Sequence, residues 1–412
     1  MLLRGATVSL LASALAWSVA ALPTHVEVPA RTYAKCQRVS KHHPLDDCPK
    51  NTIYVSKESS AADFNTIQDA ILSLPNNTDP YTILIAPGDY TEQLNVTRQG
   101  PLTLLGVSNR PWKGETYSNI NYKTSHSNKV TVWWASANHD SSGKITDNAI
   151  TSVLTVAPTF ESSKSGYGPT GWPVPDGTPF GNEDFRAYNI DFRNNNADQS
   201  DGPAHAAGIS RANAGFYSCG LYSYQDTLFI GKLGNAFFYD SIVAGEVDFL
   251  YGYGTLWIEK SALTLRNCGG GITAWKGTNT TFENKYGAYI SKSQILAANA
   301  TIAVEIKGTC PLGRPWNELH RSIFMKSYFD ASVLPAGYID WNGARFNNQT
   351  FMATYSDFGP GWDLEAEKEN NRTIVLDRKG VSPYDTPAEV FANEDGKLGN
   401  VKWIDKSVLP KQ

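Results

Sequence analysis

The sequence predicts an all-β fold organised as a parallel β-helix, a coil in which every turn adds one short strand to each of several sheets. Strand-like segments recur at roughly 20 to 27 residues, a period that suits one such turn. Charged residues make up only 18% of the chain, whereas it holds 34 glycines and 12% aromatic residues. Asn-Gly and Asp-Gly hairpin signals do not recur at a regular spacing, which argues against an antiparallel sandwich.

The elements follow in order after a polar leader. Thr52 to Val55 is predicted to be a strand, and residues 63–74 have apolar side chains at helical spacing. We expect a short helix of about three turns there, which caps the unpaired strand edges of the first turn of the coil. Later predicted strands include LTLLG at 102–106, FRAYNIDFRN at 185–194 and TLWIEKSALTL at 255–265.

Two insertions interrupt the repeat, at about residues 109–150 and 158–183. Loops of this length on a rigid scaffold commonly wall a binding groove. The predicted parts of the chain are a signal peptide (1–20), an N-terminal extension (21–50), a single β-helix domain (51–390) and a C-terminal tail (391–412).

The first 20 residues have the pattern of a secretory signal peptide, with Arg4 before an apolar run and a small-residue site at Ser18–Ala20. No later apolar run reaches the length of a membrane helix, so we expect a soluble, secreted, extracellular protein with no membrane partner. A net charge of −4 offers no basic surface for nucleic acid. Glycosylation sequons occur at Asn76, Asn95, Asn279, Asn299, Asn348 and Asn371.

The five cysteines suit an oxidising compartment. Cys36 and Cys48 are close enough in sequence to close a small loop. Cys219, Cys268 and Cys310 then leave an odd thiol, and we expect at least one of them to be a buried free cysteine.

The most informative stretch is residues 214–252, which contains two copies of one unit. A shift of 22 residues places Phe216 on Phe238 and Asp226 on Asp248. If each copy is one turn of the coil, the two carboxylates lie about one strand spacing apart, and one of them should retain its proton. The alternative is that both aspartates only cap turns, as Asp commonly does after a strand.

Other chemistries lack motif support. The sequence has no Gly-x-Ser-x-Gly, no His-Glu-x-x-His and no phosphate-binding glycine loop. No CxxC pair or histidine cluster suggests a metal site, so we expect neither a metal nor another cofactor.

Four motifs in order resemble those of the pectin methylesterase (pectinesterase) family, and the secretory signal and sequons make the secreted fungal type the nearest likeness. The resemblance extends over roughly residues 50 to 362 and implies a right-handed coil. It also implies methyl-esterified homogalacturonan (pectin) as the substrate, and we expect a monomer. The motifs are GDYTE at 88–92, YQDTL at 224–228, DFLYG at 248–252 and LGRPW at 312–316.

The resemblance implies a role for each matching residue. Asp248 is the nucleophile that attacks the methyl ester, and Asp226 protonates the departing methanol and later activates water. Arg314 hydrogen-bonds the nucleophile, and Gln225 helps to hold the developing oxyanion. Trp316 and Tyr224 are the expected sugar-facing aromatic residues.

Two positions depart from the family pattern. Pro203 lies where the family has a second glutamine that serves the oxyanion, and proline has no side-chain donor. Removal of one oxyanion donor typically costs about a hundredfold to a thousandfold in turnover. We hypothesise that His205, two residues along the same strand, donates instead and contacts the substrate; a buried structural histidine is the alternative. Trp275 replaces a further family glutamine.

The sequence therefore predicts a carboxylic ester hydrolase that removes methyl groups from pectin, releasing methanol and pectate through an aspartyl acyl-enzyme. The alternative is a catalytically impaired pectin-binding protein of the cell wall that keeps the groove. A β-helix lyase or glycosidase is disfavoured, because it needs calcium sites or an acid and base spaced for glycoside cleavage.

Overall fold

The computed structural model describes residues 28–40, 42–111, 127–138, 145–166, 170–277, 284–342, 345–392 and 399–409. The predicted signal peptide and the sequon residue Asn279 lie outside these ranges. Within them, no helix is both long enough and apolar enough to cross a membrane.

Short strands that pair in parallel are the main regular structure of the described chain. In chain order they are β1 Thr52–Val55, β2 Tyr81–Ile85, β3 Gly88–Thr91, β4 Leu94–Val96, β5 Leu102–Gly106, β6 Val130–Trp134, β7 Leu154–Val156, β8 Phe185–Tyr188, β9 Ile190–Asn194, β10 Ala207–Ile209, β11 Asn213–Tyr217, β12 Gly220–Tyr222, β13 Leu228–Ile230, β14 Asn235–Tyr239, β15 Ile242–Gly245, β16 Leu250–Gly252, β17 Thr255–Glu259, β18 Ala262–Leu265, β19 Thr273–Trp275, β20 Gly287–Ser291, β21 Gln294–Ala297, β22 Arg321–Met325, β23 Tyr328–Phe329, β24 Phe351–Tyr355 and β25 Ile374–Val375.

The strands form three parallel sheets that wrap around one core. The first sheet has the order β1-β2-β5-β8-β11-β14-β17-β20-β22-β24-β25, the second β23-β21-β18-β15-β12-β9-β6-β3, and the third β19-β16-β13-β10-β7-β4. Each complete turn contributes one strand to each sheet. The fold is thus a single-domain, right-handed parallel β-helix, and the prediction from the repeat is confirmed.

Helices are few and short. They are α1 Ala30–Cys36, α2 Ile67–Leu72, α3 Phe160–Ser163, α4 Ala300–Glu305, α5 Leu364–Glu369, α6 Arg378–Val381 and α7 Pro387–Val390, with 3-10 turns at Asn148–Thr151 and Ser382–Tyr384.

The capping helix exists but is shorter than predicted. Helix α2 begins after Thr66, whose hydroxyl accepts a hydrogen bond from the Asp69 N–H. The residues just before it remain extended, because Phe64 pairs with Val55 at the end of β1. Ile67 is fully buried in the core at the end of the coil, so α2 covers the first turn as expected.

From β8 onwards, each turn of the coil leaves the first sheet through a single residue with positive φ. That conformation costs little for Asn and Asp and allows a sharp change of direction. The seven residues, with φ between 48° and 55°, are Asn189, Ser218, Asp240, Lys260, Lys292, Lys326 and Ser356.

A buried ladder of small polar side chains follows these corners. Each side chain accepts a hydrogen bond from the backbone N–H of its counterpart in the preceding turn, at 2.8 to 3.2 Å. Cys219, the free buried cysteine that was predicted, heads the ladder and its thiol donates to the Ala187 carbonyl. The acceptors that follow are Ser241, Ser261, Ser293, Ser327 and Asp357.

Both ends of the described chain cover the outer face of the first sheet. Tyr33 and Cys36 of α1 pack there with Trp403 and Ile404 from near the C-terminus. The predicted Cys36–Cys48 disulfide is present and closes the N-terminal loop, and a second disulfide joins Cys268 to Cys310.

Candidate active site

The two aspartates of the repeat lie in adjacent turns, as predicted. Leu228 pairs with Leu250 and Gln225 bridges to Val247, which fixes the shift at 22 residues. Asp226 and Asp248 each occupy a left-handed corner, with φ of 58° and 47°, just before a strand of the third sheet. Their exposed fractions are only 8% and 6%.

Arg314 binds the second aspartate with both arms of its guanidinium. Its Nε donates to Asp248 Oδ1 at 3.0 Å and its Nη2 donates to Oδ2 at 2.8 Å. The backbone N–H of Arg314 donates to the Thr273 carbonyl, at the start of β19. Gly270 leaves the space that the pair needs, since a Cβ there would lie 2.6 Å from Nη2 and 2.9 Å from Asp248 Oδ1.

The surroundings of Asp226 and Asp248 have different effects on the pKa values of the two carboxyl groups. Burial raises the pKa of Asp226 well above its usual range, and the negative charge of Asp248 raises it further. Burial also raises the pKa of Asp248, but the hydrogen bonds and charge of Arg314 oppose that effect. Asp226 is consequently the member that holds a proton more tightly, and Asp248 is the member that is more readily ionised.

Tyr224 and Gln225 directly precede Asp226 in the segment between β12 and β13, and both are half-buried. The Ser200 hydroxyl donates to Gln225 Oε1 at 2.8 Å. Because this contact occupies the oxygen of the amide, it orients the NH2 group as a donor. The ring of Tyr224 is covered by the Arg266 guanidinium, 4.5 Å from the ring centroid.

Trp316 and Trp341 are half-buried aromatic residues near the arginine, and each is flanked by cations. The Lys276 Nζ lies 3.2 Å from the ring centroid of Trp316. Trp341 lies between Arg314 and Arg345, whose guanidinium carbons are 3.8 and 4.4 Å from its ring centroid. Such pairs combine a flat apolar surface with positive charge, which suits a sugar chain that carries carboxylates.

His205 does not line the groove, and its predicted contact with substrate is not supported by its position. It is completely buried. Its Nδ1 hydrogen-bonds Ser152 Oγ at 2.9 Å, its Nε2 hydrogen-bonds the Tyr251 hydroxyl, and its ring stacks on Phe229. Burial lowers the pKa of His205 to about 3, so the ring is neutral. These surroundings agree with the alternative prediction, a buried structural histidine.

The other departures from the family pattern also have structural roles. The carbonyl of Pro203 accepts a hydrogen bond from the Asn138 N–H at 2.8 Å. Trp275 is fully buried, and its indole N–H donates to the Gly254 carbonyl at 3.1 Å. Trp275 is therefore a core residue rather than part of the groove.

The sequence pattern did not reveal two polar residues near the pair. Asn148, from the first insertion, donates from Nδ2 to Asp226 Oδ2 at 3.3 Å. The charge of Lys276 acts on Asp226 and lowers its pKa. Lys276 directly follows β19, so its position in the repeat could have indicated that it lies near the pair. Asn148 lies in a loop outside the repeat, and no sequence pattern indicated its position.

Fold and site together define a parallel β-helix protein with a paired-carboxylate centre oriented by one arginine. Among the described residues, no group of three or more His, Cys, Asp or Glu side chains could hold a metal ion. A family profile described as Pectinesterase matches residues 178–384, half of the chain. The chain belongs to the pectinesterase family.

Individual relatives are distant. The chain is 26% identical to probable pectinesterase A of Aspergillus niger over 350 residues, covering 84% of this chain and 90% of the relative. It is 28% identical over 320 residues to probable pectinesterase/pectinesterase inhibitor 58 of Arabidopsis thaliana, covering 76% of this chain but only 47% of that longer protein. The structure of pectin methylesterase from carrot shares the fold, with a TM-score of 0.64, 20% identity and coverage of 87% and 97%.

Proposed function

We propose that this protein hydrolyses the methyl esters of galacturonate units in homogalacturonan, releasing methanol and leaving pectate. The observation that carries the proposal is the bidentate contact of Arg314 with Asp248, one turn of the coil from Asp226, whose pKa is raised by burial and by the charge of Asp248. Membership of the pectinesterase family and the name of the Aspergillus niger relative point to the same substrate class.

In the proposed first step, an Asp248 carboxylate oxygen attacks the ester carbonyl. The carbonyl oxygen becomes an oxyanion, and the Gln225 NH2 group is the donor placed to stabilise it. As the carbon–methoxy bond breaks, Asp226 transfers its proton to the departing oxygen, so that methanol leaves and an acyl-enzyme anhydride remains.

In the second step, Asp226 is a carboxylate and accepts a proton from water. The resulting hydroxide attacks the acyl carbonyl, the bond to Asp248 breaks, and the galacturonic acid unit is released and loses its proton to solvent. Asp226 ends protonated and Asp248 ends ionised, which is the starting state. The raised pKa of Asp226 suits a group that must donate one proton to methanol and then accept another from water.

The groove supplies recognition of the polymer in this proposal. Trp316, Trp341 and Tyr224 are the aromatic residues proposed to contact sugar rings, each with a cation already against its ring. The nearby charge of Arg345 would attract a polyanion, although the whole chain is slightly acidic.

We further propose secretion and N-glycosylation. Two disulfides suit an oxidising compartment. The sequon asparagines that can be described are all exposed, as an acceptor site requires; they are Asn76, Asn95, Asn299, Asn348 and Asn371.

The test is methanol release from methylated pectin by the purified secreted protein, with Asp248→Asn as the matched variant because it removes the nucleophile at nearly constant volume. Activity in the parent and its loss in the variant are the expected result. If the parent releases no methanol between about pH 4 and pH 8 but binds pectate, the impaired pectin-binding alternative replaces this proposal.

A further inference from the structure

Asn148 links the carboxylate pair to a buried hydrogen-bond network that the proposed mechanism has not used. Its Nδ2 lies 3.3 Å from Asp226 Oδ2 and 3.2 Å from the Tyr251 hydroxyl. Its Oδ1 accepts a hydrogen bond from Asn138 Nδ2 at 2.7 Å. The amide is therefore held at both ends, and its NH2 group faces the general acid.

The direction of each hydrogen bond in the network can be assigned. Asn148 Nδ2 can only donate, so the Tyr251 oxygen accepts from it. Tyr251 then donates its own proton to His205 Nε2, because burial keeps the imidazole neutral. The remaining ring proton of His205 is on Nδ1, and it donates to Ser152 Oγ. Every member has a defined donor or acceptor role, which makes the network rigid.

This assignment fixes the location of the transferable proton on Asp226. Oδ2 accepts from Asn148, and a proton on that oxygen would face the donating amide. The neutral acid therefore carries its proton on Oδ1. An acid with one defined proton position is already prepared for transfer, whereas a freely rotating carboxyl group must be ordered during the reaction.

The backbone next to this network is also held in place. The Pro203 carbonyl accepts a hydrogen bond from the N–H of Asn138, the residue that orients the Asn148 amide.

We propose that Asn148 is a positioning residue for the general acid, and this inference rests on the proposed function. Held by Asn138 and by the buried Tyr251–His205 pair, it keeps Asp226 oriented with its proton on Oδ1. Asn148 acts through Asp226 and has no need to touch the substrate.

The experiment measures methanol release against pH for Asn148→Ala in the full chain. We expect kcat to fall about 10-fold to 100-fold with KM nearly unchanged, because the acid is misplaced and substrate binding is not. Loss of a donor to the carboxylate raises the pKa of Asp226, so the alkaline limb of the kcat profile should move up by about one pH unit. Tyr251→Phe should produce a smaller change in the same direction.

Asn235→Ala is the matched control. Asn235 is also a half-buried member of an amide chain, donating to Asn213 and accepting from Asn284, but it lies at the start of β14 in the first sheet. We expect its kcat and pH profile to match the parent even if its melting temperature falls.

The outcomes separate this inference from the function on which it rests. If the parent is active and Asp248→Asn is not, yet Asn148→Ala keeps the parental kcat and alkaline limb, the positioning role is refuted alone. It is equally refuted if Asn148→Ala loses activity only in proportion to lost folded protein, as Asn235→Ala would. A parent without esterase activity refutes the proposed function and this inference together.

Discussion

Replacing Arg314 with methionine tests whether Asp248 and Asp226 have the different roles proposed for them. Methionine keeps an unbranched side chain that can still pack against Trp341, but it removes the charge and both hydrogen bonds to Asp248. In the proposed mechanism Asp248 must be ionised to attack the ester, and Arg314 favours that form. The variant should therefore need a higher pH to reach its active state.

The size of the effect follows from the two contacts at 3.0 and 2.8 Å. A hydrogen bond to a charged group contributes about 1.5–3 kcal/mol, and one pKa unit corresponds to about 1.4 kcal/mol. Two such bonds together give about 3–6 kcal/mol, so the pKa of Asp248 should rise by about two to four units. Below the raised pKa, each unit of the rise lowers the ionised fraction of Asp248, and with it kcat/KM, about tenfold.

The assay is the pH dependence of kcat/KM for methanol release by Arg314→Met. Arg193→Met is the control, since Arg193 pairs with Asp191 at 2.7 Å and stacks on Tyr222 with similar exposure, 29% against 21% for Arg314. The control should lose stability without moving the acid limb. An acid limb that stays in place in a folded Arg314→Met protein would refute the assignment of Asp248 as the arginine-stabilised nucleophile.

Two further changes act at other points of the structure. Gly270→Ala places a methyl group 2.6 Å from the Arg314 guanidinium and should lower kcat/KM by about tenfold or more; parental kinetics would contradict this. Glu367 is buried, and burial raises its pKa from 4.5 to about 7. Its folded-state pKa exceeds the unfolded value, so the stability it provides is complete below about pH 4.5 and declines up to about pH 7. Glu367→Gln should remove that decline, adding up to ~3 kcal/mol to the free energy of unfolding at pH 8 but nothing at pH 4, as measured by denaturant titration.

The sequence predicts those parts of the site that depend on the repeat. Asp226 and Asp248 could be placed side by side because Phe216 and Phe238 recur with the same 22-residue shift, and their rings stack at 4.5 Å inside the coil. A slip of one residue would have sent each side chain of the strand to the opposite face of the sheet. Core packing thus specifies the register, and the register brings the carboxylates together.

Features outside the repeat could not be predicted in this way. Asn148 reaches Asp226 from a position 78 residues earlier in the chain, through a loop whose course depends on contacts remote in sequence. The surroundings of His205 could not be predicted for a related reason. Alternation along a strand predicts which face a residue occupies, but His205 precedes β10, and its two buried ring nitrogens hydrogen-bond Ser152 and Tyr251.

The repeat brings Asp226 and Asp248 side by side, and residues outside the repeat make their two carboxyl groups chemically different. Two successive corners carry the same residue in the same left-handed conformation, so the backbone alone would make Asp226 and Asp248 equivalent. Equivalent carboxylates in a buried site would share one proton without a preferred owner. Arg314 binds one of them with two hydrogen bonds, and the Asn148 amide contacts the other with one. Because the charged contact stabilises an anion more strongly than the neutral amide does, Asp226 holds a proton more tightly than Asp248, and a symmetric repeat becomes the unequal pair that the proposed mechanism requires.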